Sequence, residues 1–279
     1  MRTVADLHSH SLFSDGSLTL DSVTEVIRSR NLSAFSVTDH DSLEFYRQEI
    51  QPDIKSRLIP GTELSTHFKS QSVHLLVYCP WPIPESLQQL VNEFAAYRKN
   101  RYLRICQDLS KLYPQWDWTS TSQTSQFTSR SLCQFISKRT EQKSLRLIYN
   151  KYLSKINMGY EEFPELSELL QRLQNIESVR SFIAHPGYRG KLWEPFWSEW
   201  KILGLTGLEL IHPIHKKNLR NYYKKILKRE GLIATGGSDF HFPGGGAAGP
   251  GRMGLDTHQW KNFRQQCQLL NCENSYTKN

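Results

Sequence analysis

The stretch "LHSHSLFSDGS", residues 7–17, places His8 and His10 two positions apart and Asp15 five positions after His10. Side chains at positions i and i+2 of a β-strand project from the same face, so both imidazoles can point at one ion. The alternative is a strand whose histidines face solvent or find ordinary hydrogen-bond partners, because a short motif carries a real false-positive risk. The rest of the chain has to decide between these two interpretations.

The composition predicts a globular enzyme-sized protein. With 279 residues, 38% hydrophobic and 22% charged, the chain is long enough for one large α/β domain with an insertion. No C-x-x-C pair occurs, and the odd number of scattered cysteines argues against a disulfide framework or a zinc ribbon; the five are Cys79, Cys106, Cys133, Cys267 and Cys272. No signal peptide and no run of ~18 apolar residues is encoded, so we expect a soluble, cytoplasmic protein without a membrane partner.

The chain is basic, with a formal net charge of +8. Lysine and arginine cluster in residues 98–104, 138–151 and 216–229. Such a surface attracts anions, phosphate polymers included, although scattered lysines are more often simply solvated. Charge alone therefore favours nucleic acid only weakly.

Hydrophobic periodicity alternates between strand and helix. Residues 3–12 and 33–41 predict short strands, and between them residues 18–31 place apolar side chains on one helical face after a possible cap at Thr19. Strands are also predicted in residues 57–64, 73–80, 179–187, 205–213 and 231–241, with a polar turn at 66–72 and a helix that stops at Gly231. Strands interleaved with helices predict a mostly parallel sheet, open or closed into a barrel.

The middle of the chain has a different character. It is helix-prone, rich in Arg, Lys, Gln and Ser, and contains a loop-like run, "TSTSQTSQFTSRS". We interpret residues 93–165 as a helical insertion subdomain between the two parts of the main domain, residues 1–92 and 166–279. The stretch "ELSELLQRLQNI" predicts the helix that returns to the main domain.

Residues able to bind metal recur at the ends of the predicted strands. They are His8, His10, Asp15, Asp39, His40, Glu63, His74, His185, Asp239 and His241. In parallel α/β folds the carboxyl ends of the strands are where active sites lie. This number and placement of histidines and carboxylates favour a metal site over ordinary core residues.

The ordered series "LHSHSLFSDGS", "VTDHDS", "GTELS", "HLL", "AHPG" and "GGSDFH" resembles the motifs of the PHP (polymerase and histidinol phosphatase) superfamily, over residues 5–80 and 180–245. The resemblance implies a distorted (βα)7 barrel with a trinuclear metal centre. It implies one ion on His8, His10, Glu63 and Asp239, a second on Glu63, His74 and His185, and a third on Asp15, His40 and His241.

Imidazole with carboxylate suits Mn²⁺, Zn²⁺ or Fe²⁺ better than Mg²⁺, and we expect three divalent ions with Mn²⁺ favoured. Clustered ions lower the pKa of bound water and stabilise both oxygens of an in-line displacement. The sequence therefore predicts phosphoester hydrolysis by a metal-activated hydroxide, without a covalent intermediate.

Catalytic roles are predicted for Asp15, His40, Arg189 and His215. Arg189, after "AHPGY", is a candidate phosphate clamp, although related proteins have an Arg directly after "AHPG" and here Tyr188 intervenes. His212 and His215 follow another strand, and His215 could bind phosphate or protonate the leaving oxygen. Both Arg189 and His215 could instead be ordinary surface side chains.

Two further positions are expected to assist the site without binding an ion. Asp39 is expected to support a ligand through a hydrogen bond rather than bind an ion itself. The glycine-rich residues 244–251 lack the features of a P-loop and predict a flexible rim loop.

Within the superfamily, the insertion resembles the bacterial group of nucleoside 3′,5′-bisphosphate phosphatases and 5′→3′ exoribonucleases that includes ribonuclease AM. RNA or a nucleoside 3′,5′-bisphosphate is the substrate that this resemblance implies. Those relatives usually have an Arg-x-His pair in the insertion, whereas this chain has Arg130 but Leu132 in place of the histidine. The alternatives are a small-molecule phosphatase such as histidinol phosphatase, and a non-catalytic binding module, which would need broken ligand positions that this chain lacks.

Overall fold

The computed structural model describes residues 2–118, 121, 126–187, 189–244 and 249–269. Its strands are β1 (Ala5–Asp6), β2 (Ala34–Phe35), β3 (Gly61–Phe68), β4 (Gln71–Tyr78), β5 (Arg180–Ile183), β6 (Gly207–Ile211) and β7 (Ile233–Gly236). Its helices are α1 (Leu20–Arg30), α2 (Pro52–Lys55), α3 (Glu85–Leu112), α4 (Ser129–Ser137), α5 (Leu145–Ile148), α6 (Leu166–Gln174), α7 (Trp197–Ile202), α8 (Lys217–Glu230) and α9 (Thr257–Cys267). The fold is therefore mixed α/β, as predicted.

The strands form two sheets, a parallel pair β1-β2 and a five-stranded sheet ordered β3-β4-β5-β6-β7. The prediction of a mostly parallel sheet is wrong for its first half, because β3 pairs antiparallel with β4 and β4 pairs antiparallel with β5. The reason is a two-residue hairpin loop in which Lys69 and Ser70 both have positive φ, at 49° and 59°. Such a loop matches the twist of two antiparallel strands. The polar turn is thus shorter than the sequence indicated.

Isolated bridges connect the two sheets at the end where the candidate ligands lie. Ser9 bridges Phe240 beyond β7, and His40 bridges Glu63 in β3, both in parallel orientation. Among the described residues, the hydrogen-bonded strands do not close into one continuous barrel. The bridges nevertheless bring the segments that follow β1, β2 and β7 beside the middle of β3.

Helices cover both faces of the five-stranded sheet. Alternate residues of β4 point to opposite sides, so Leu75 and Val77 belong to the main hydrophobic core, whereas Leu76 and Tyr78 pack with α9. The predicted ends of two helices are confirmed: the Thr19 side chain caps α1 in a capping box with Ser22, and α8 ends at Gly231 in the left-handed conformation. The predicted returning helix is α6.

A separate hydrophobic cluster lies in the middle of the chain. Helix α3 packs its first half, including Leu87 and Phe94, on the main core. Its second half, including Ile105 and Leu109, packs with Leu132 and other side chains between residues 102 and 160. One continuous helix therefore links two cores, and the boundary predicted between residues 92 and 93 falls inside it.

In the part of the chain that the structure describes, no helix is both long and apolar enough to cross a membrane. Cys79, Cys106, Cys133 and Cys267 are free and buried, whereas Cys272 lies outside the described residues. The cytoplasmic location stays a prediction.

Candidate metal centre

Backbone pairing holds the two segments that supply the first ligands. The Leu7 N–H donates to the Gly236 carbonyl, the Asp239 N–H donates to the His8 carbonyl, and the His10 N–H donates to the Phe240 carbonyl. These bonds extend β1 and β7 past their regular ends as neighbouring strands. Residues 8–10 and 239–240 therefore lie side by side, with the His8 and His10 side chains on the same face, as the alternation predicted.

Four side-chain atoms converge beside this pair of segments. His8 Nε2 lies 3.2 Å from Asp239 Oδ1 and 3.3 Å from Glu63 Oε2. His10 Nε2 lies 3.2 Å from both of the same oxygens and 3.2 Å from His8 Nε2. These four residues are the set that the resemblance assigned to one ion.

Glu63, in the middle of β3, lies at the centre of the site. Its Oε2 faces His8, His10 and also His40 Nδ1, which is 3.3 Å away. Its Oε1 lies 2.9 Å from His74 Nδ1 and 2.8 Å from His185 Nε2. The carboxylate thus faces two groups of imidazoles through two different oxygens, which is the arrangement that a bridging carboxylate requires.

The remaining candidate ligands surround Asp15. Its Oδ1 lies 3.4 Å from His241 Nε2, 3.8 Å from His40 Nε2 and 3.9 Å from His10 Nδ1. The loop that carries Asp15 is held by Asp39, which accepts hydrogen bonds from the Ser11 N–H, the Ser11 hydroxyl and the Ser14 hydroxyl. The Asp39 side chain thus supports the loop that carries Asp15, with hydrogen bonds to Ser11 and Ser14 rather than to a candidate ligand.

The ligand atoms have the charge and spacing that a small cation needs. Burial by itself would raise the pKa of Glu63, but His40, His8 and His74 hold that pKa well below its ordinary value. The same balance of burial against His8 and His10 holds the pKa of Asp239 well below its ordinary value. Separations of 3.2–3.3 Å are also close to the roughly 3.4 Å between ligands of a tetrahedral ion with bonds of ~2.1 Å.

Unpaired buried atoms provide an independent test of the fit. Six side-chain atoms of the described residues are buried without a hydrogen-bond partner. Three are His67 Nδ1 and the indole nitrogens of Trp197 and Trp200, and the other three are Asp15 Oδ1, His40 Nδ1 and Asp239 Oδ1. Burying polar atoms in this state is costly, and most buried polar atoms in proteins are paired. The unpaired atoms of Asp15, His40 and Asp239 belong to the candidate ligand set and face its other members, so these residues fit divalent cations.

Two supporting residues fix the orientation of the ligands. Glu209 is fully buried in β6 and accepts a hydrogen bond from His8 Nδ1 at 3.1 Å and another from the His185 N–H at 2.8 Å. A proton on His8 Nδ1 leaves Nε2 free to bind an ion. His212 Nδ1 accepts the Ile214 N–H, so His212 Nε2–H donates to Asp239 Oδ2 at 3.1 Å.

The sequence analysis did not identify Glu209, and it gave His212 no role. The one signal for Glu209 was a glutamate inside the apolar strand "GLELI". A carboxylate at such a position, completely removed from water, needs a buried partner.

Arg189 and His215 differ in their surroundings. Arg189 is exposed, and no hydrogen bond or ion pair joins it to the ligands within the described ranges; Tyr188 before it lies outside them. His215 is buried, its Nδ1–H donates to the Leu210 carbonyl, and its Nε2 accepts the Gly187 N–H. Burial lowers its pKa to about 4. With both ring nitrogens bonded to backbone groups, His215 has none to offer a phosphate in this arrangement, contrary to the expected catalytic role.

The insertion contributes a cationic wall beside the ligands. A cleft of about 180 Å³ is lined by Asp15, His40 and three arginines, Arg98, Arg101 and Arg130. Arg130 stacks on the ring of Phe242, which follows His241. Leu132, by contrast, is buried in the core of the insertion. Half of the predicted rim loop, residues 245–248, lies outside the described residues.

Comparison with known proteins gives relatives over most of the chain. The 5′-3′ exoribonuclease Rnm of Salmonella typhimurium is 23% identical over 252 residues, with 86% of each chain covered. The enzyme of the same name from Escherichia coli is 24% identical, again with 86% of each covered. A 3′,5′-nucleoside bisphosphate phosphatase of Chromobacterium violaceum is 25% identical, covering 86% of this chain and 88% of its own. The resemblance to exoribonucleases and nucleoside bisphosphate phosphatases is confirmed.

Two solved structures have a fold similar to that of this protein. A protein of Bifidobacterium adolescentis assigned as a metal-dependent phosphoesterase superposes with a TM-score of 0.74 at 21% identity, covering 94% of this chain and 96% of its own. An amidohydrolase of Chromobacterium violaceum with bound sulfate and no metal gives a TM-score of 0.72 at 21% identity, with 91% of each chain covered. No protein-family model matches the chain.

Proposed function

We propose that this protein is a metal-dependent phosphoesterase that hydrolyses nucleotide phosphoesters, as a 5′→3′ exoribonuclease, a nucleoside 3′,5′-bisphosphate phosphatase or both. The observation that carries the proposal is the convergence of His8, His10, Glu63 and Asp239, whose ligand atoms lie within 3.3 Å of one another in the contacts given above. The names of the curated relatives support the choice of nucleotide substrates over histidinol phosphate.

We further propose three divalent ions, with Mn²⁺ favoured, held by the three ligand sets that the motifs imply. The groups of ligand atoms around Asp15 and around Asp239, and the contacts of Glu63 Oε1 with His74 and His185, support this division. When bound, such ions supply activated water and charge neutralisation for phosphoester hydrolysis.

The protein's own side chains then have separate tasks. Glu63 bridges two ligand sets, and Glu209 and His212 orient the ligands His8 and Asp239. Arg130 lines the cleft beside Asp15, where a guanidinium group attracts phosphate oxygens, and Arg98 lines the same cleft while paired with Asp41. Arg189 stays a predicted clamp at the rim.

For the fold, we propose the distorted (βα)7 barrel that the resemblance implies, with a helical insertion at residues 93–165 between barrel parts 1–92 and 166–279. The bridges Ser9–Phe240 and His40–Glu63 support a barrel-like arrangement of the two sheets. The separate hydrophobic cluster between residues 102 and 160 supports the insertion.

The test is hydrolysis by the Mn²⁺-loaded protein of three substrates: a 5′-phosphorylated RNA oligomer, adenosine 3′,5′-bisphosphate and histidinol phosphate. We expect nucleotide release from the RNA, loss of the 3′-phosphate from the bisphosphate, or both. Chelation of the metal should stop the reaction, and re-addition of Mn²⁺ should restore it. Turnover of histidinol phosphate alone would overturn the proposed substrate class, and undiminished activity in chelator would overturn the metal dependence.

A further inference from the structure

A second cavity, of about 390 Å³, adjoins the candidate metal centre. It lies between α3, the loop after β1 and the segment around residue 127, and we call it the base pocket. Its walls include His40 and Ser14, next to the ligand Asp15, together with Phe13, Phe127 and Ala95. Its volume is within the ~300–1,000 Å³ typical of small-molecule sites.

We propose that the base pocket binds the nucleobase of the nucleotide whose phosphate is hydrolysed. This inference rests on the proposed function and deepens it, because it assigns a place to the part of the substrate that the metal centre does not contact. The site would take a flat heterocycle attached to a phosphorylated ribose.

The lining of the base pocket suits an aromatic ring. Phe13 is 42% exposed and its neighbour Leu12 is 51% exposed, although large apolar side chains gain free energy by leaving water. Phe127 presents a second ring to the same cavity. A nucleobase stacked on an aromatic side chain gains about 1–3 kcal/mol, and this gain is available to every base.

Polar groups at the pocket match the rest of a nucleotide. Lys99 lines the cavity and provides positive charge for phosphate, whereas Arg47 and Arg98 in the same lining are paired with Glu44 and Asp41. Gln88 and Asn92 offer amide donors and acceptors for a base edge. The loop that carries Phe13 is tied to the insertion side, because Gln126 Nε2 donates to the Leu12 carbonyl at 3.2 Å.

The base pocket and the arginine-lined cleft share three lining residues. His40, Arg98 and Thr128 belong both to the base pocket and to the arginine-lined cleft beside Asp15. A nucleotide can therefore place its phosphate among the guanidinium groups near the metal ligands and its base against Phe13.

Ala95 provides a direct test because it is an exposed residue of α3 in the pocket wall. Ala95→Trp should fill the pocket without disturbing the core. Asn100→Trp, at an exposed position of the same helix that does not line the pocket, is the matched control. Phe13→Ala removes the exposed ring and serves as a second variant.

The first measurement is calorimetric binding of adenosine 5′-monophosphate and of ribose 5-phosphate to the Mn²⁺-loaded protein, with recovery of intact ligand checked by chromatography. The wild type and Asn100→Trp should bind the nucleotide at least about tenfold more tightly than the base-free ligand. Ala95→Trp and Phe13→Ala should lose most of this preference while binding ribose 5-phosphate as before. Equal affinities of the wild type for both ligands would overturn the base pocket.

The second measurement compares 5′-phosphorylated RNA that has an ordinary first nucleotide with the same RNA carrying an abasic first residue. The wild type should have a higher kcat/KM for the ordinary RNA, and Ala95→Trp should reduce that preference. Equal hydrolysis of the two RNAs by the wild type would reject the base pocket and leave the proposed nuclease function intact. No hydrolysis of RNA or of adenosine 3′,5′-bisphosphate would instead reject the proposed function itself.

Discussion

Asp239 illustrates how one residue can serve two partners at once. Its φ of 48° lies in the left-handed region, which Asp and Asn adopt more readily than most residues. In this conformation Oδ1 faces His8 and His10, while Oδ2 accepts a hydrogen bond from His212. The backbone conformation and the ligand geometry therefore depend on the same residue.

Asp239→Asn should abolish turnover and keep the fold. Asparagine tolerates the same φ, but it removes the negative charge from the ligand set, so we expect a fall in kcat of at least about 100-fold. Activity with Mn²⁺ and thermal unfolding, measured together, check this result. Near-native activity in the variant would mean that Asp239 is not a metal ligand.

Glu209→Gln should weaken metal binding although Glu209 lies outside the three ligand sets that the motifs imply. The change keeps an acceptor but removes the charge that supports His8, and the loss of such a partner typically costs about 10- to 100-fold in metal affinity. Titration of Mn²⁺ by calorimetry measures the effect. Glu199→Gln, an exposed glutamate of α7, is the control, and equal affinities of the two variants would contradict the assigned role.

His215 should make stability depend on pH. Burial lowers its folded pKa to about 4, below the ordinary 6.5, so the unfolded chain binds the extra proton between these values. The contribution of His215 to the free energy of unfolding is therefore complete above pH 6.5. It is lost as the pH falls toward 4, by up to roughly 3 kcal/mol.

The matched variant for this prediction is His215→Gln, which cannot titrate. Its free energy of unfolding, from urea denaturation at several pH values, should fall less steeply than that of the wild type as the solution is acidified. If His215→Gln instead kept the wild-type profile and lost most of its kcat at neutral pH, the catalytic role expected from the sequence would be right.

At the residue scale, the sequence predicted the members of the ligand cluster but not what holds them. Alternation placed His8 and His10 on one face, and the structure brings Glu63 and Asp239 to both rings. The interaction between Glu209 and His8 joins residues 201 positions apart, and no local spacing reveals such a pair. For the same reason, the sequence could not show that both ring nitrogens of His215 are hydrogen-bonded to backbone groups.

At the scale of elements, a buried ion pair fastens α3 to β3 beside the metal centre. Arg98 Nε lies 2.6 Å from Asp41 Oδ2, and Arg98 also donates to the Ser65 hydroxyl. The Asp41 side chain is fully buried and that of Arg98 is 12% exposed. Asp41 additionally accepts the Ser65 N–H, so the position of the helix is coupled to the backbone of β3.

Arg98→Leu should destabilise the protein by roughly 3–5 kcal/mol, because it leaves the Asp41 charge buried without its partner. Arg104→Leu on the same helix is the control: Arg104 pairs with Asp108 and Glu162, but these side chains are about one-third exposed, so a loss of about 1 kcal/mol or less is expected. Urea denaturation of both variants compares them. Similar losses of free energy of unfolding in the two variants would show that the buried Arg98–Asp41 pair contributes no more to stability than the exposed pairs of Arg104.

Local signals determined how well individual elements could be predicted. The cap at Thr19 and the glycine after α8 are encoded within a few residues, and both helix ends were predicted correctly. The two strands of the β3-β4 hairpin were predicted around a turn at residues 66–72, but the turn is only Lys69 and Ser70, which are not the Asn-Gly or Asp-Gly pair that marks such short loops. The antiparallel direction of β4 relative to β3 is therefore seen only in the structure.

At the scale of the whole molecule, the fold gathers ligands from six separate segments of the chain. Glu63 and His74 lie within strands β3 and β4, whereas the others follow β1, β2, β5 and β7. A centre built this way forms only when both sheets are in place. The motif order predicted this gathering, but it could not predict that the strands form two sheets joined by single bridges.

The net charge of +8 should also control how fast a polyanion reaches this centre. Single-stranded nucleic acid loses affinity with salt at a log–log slope of about −0.7 for each phosphate contacted, so about three contacts predict a roughly 20-fold fall in kcat/KM for RNA between about 50 and 200 mM salt. Adenosine 3′,5′-bisphosphate has only two phosphate groups, for which the same slope predicts a smaller fall in kcat/KM, of about sevenfold. Rates measured on both substrates over this range test the argument. Parallel salt dependences would mean that the basic surface beyond the metal centre does not contact RNA and that all of the attraction is exerted at the site itself.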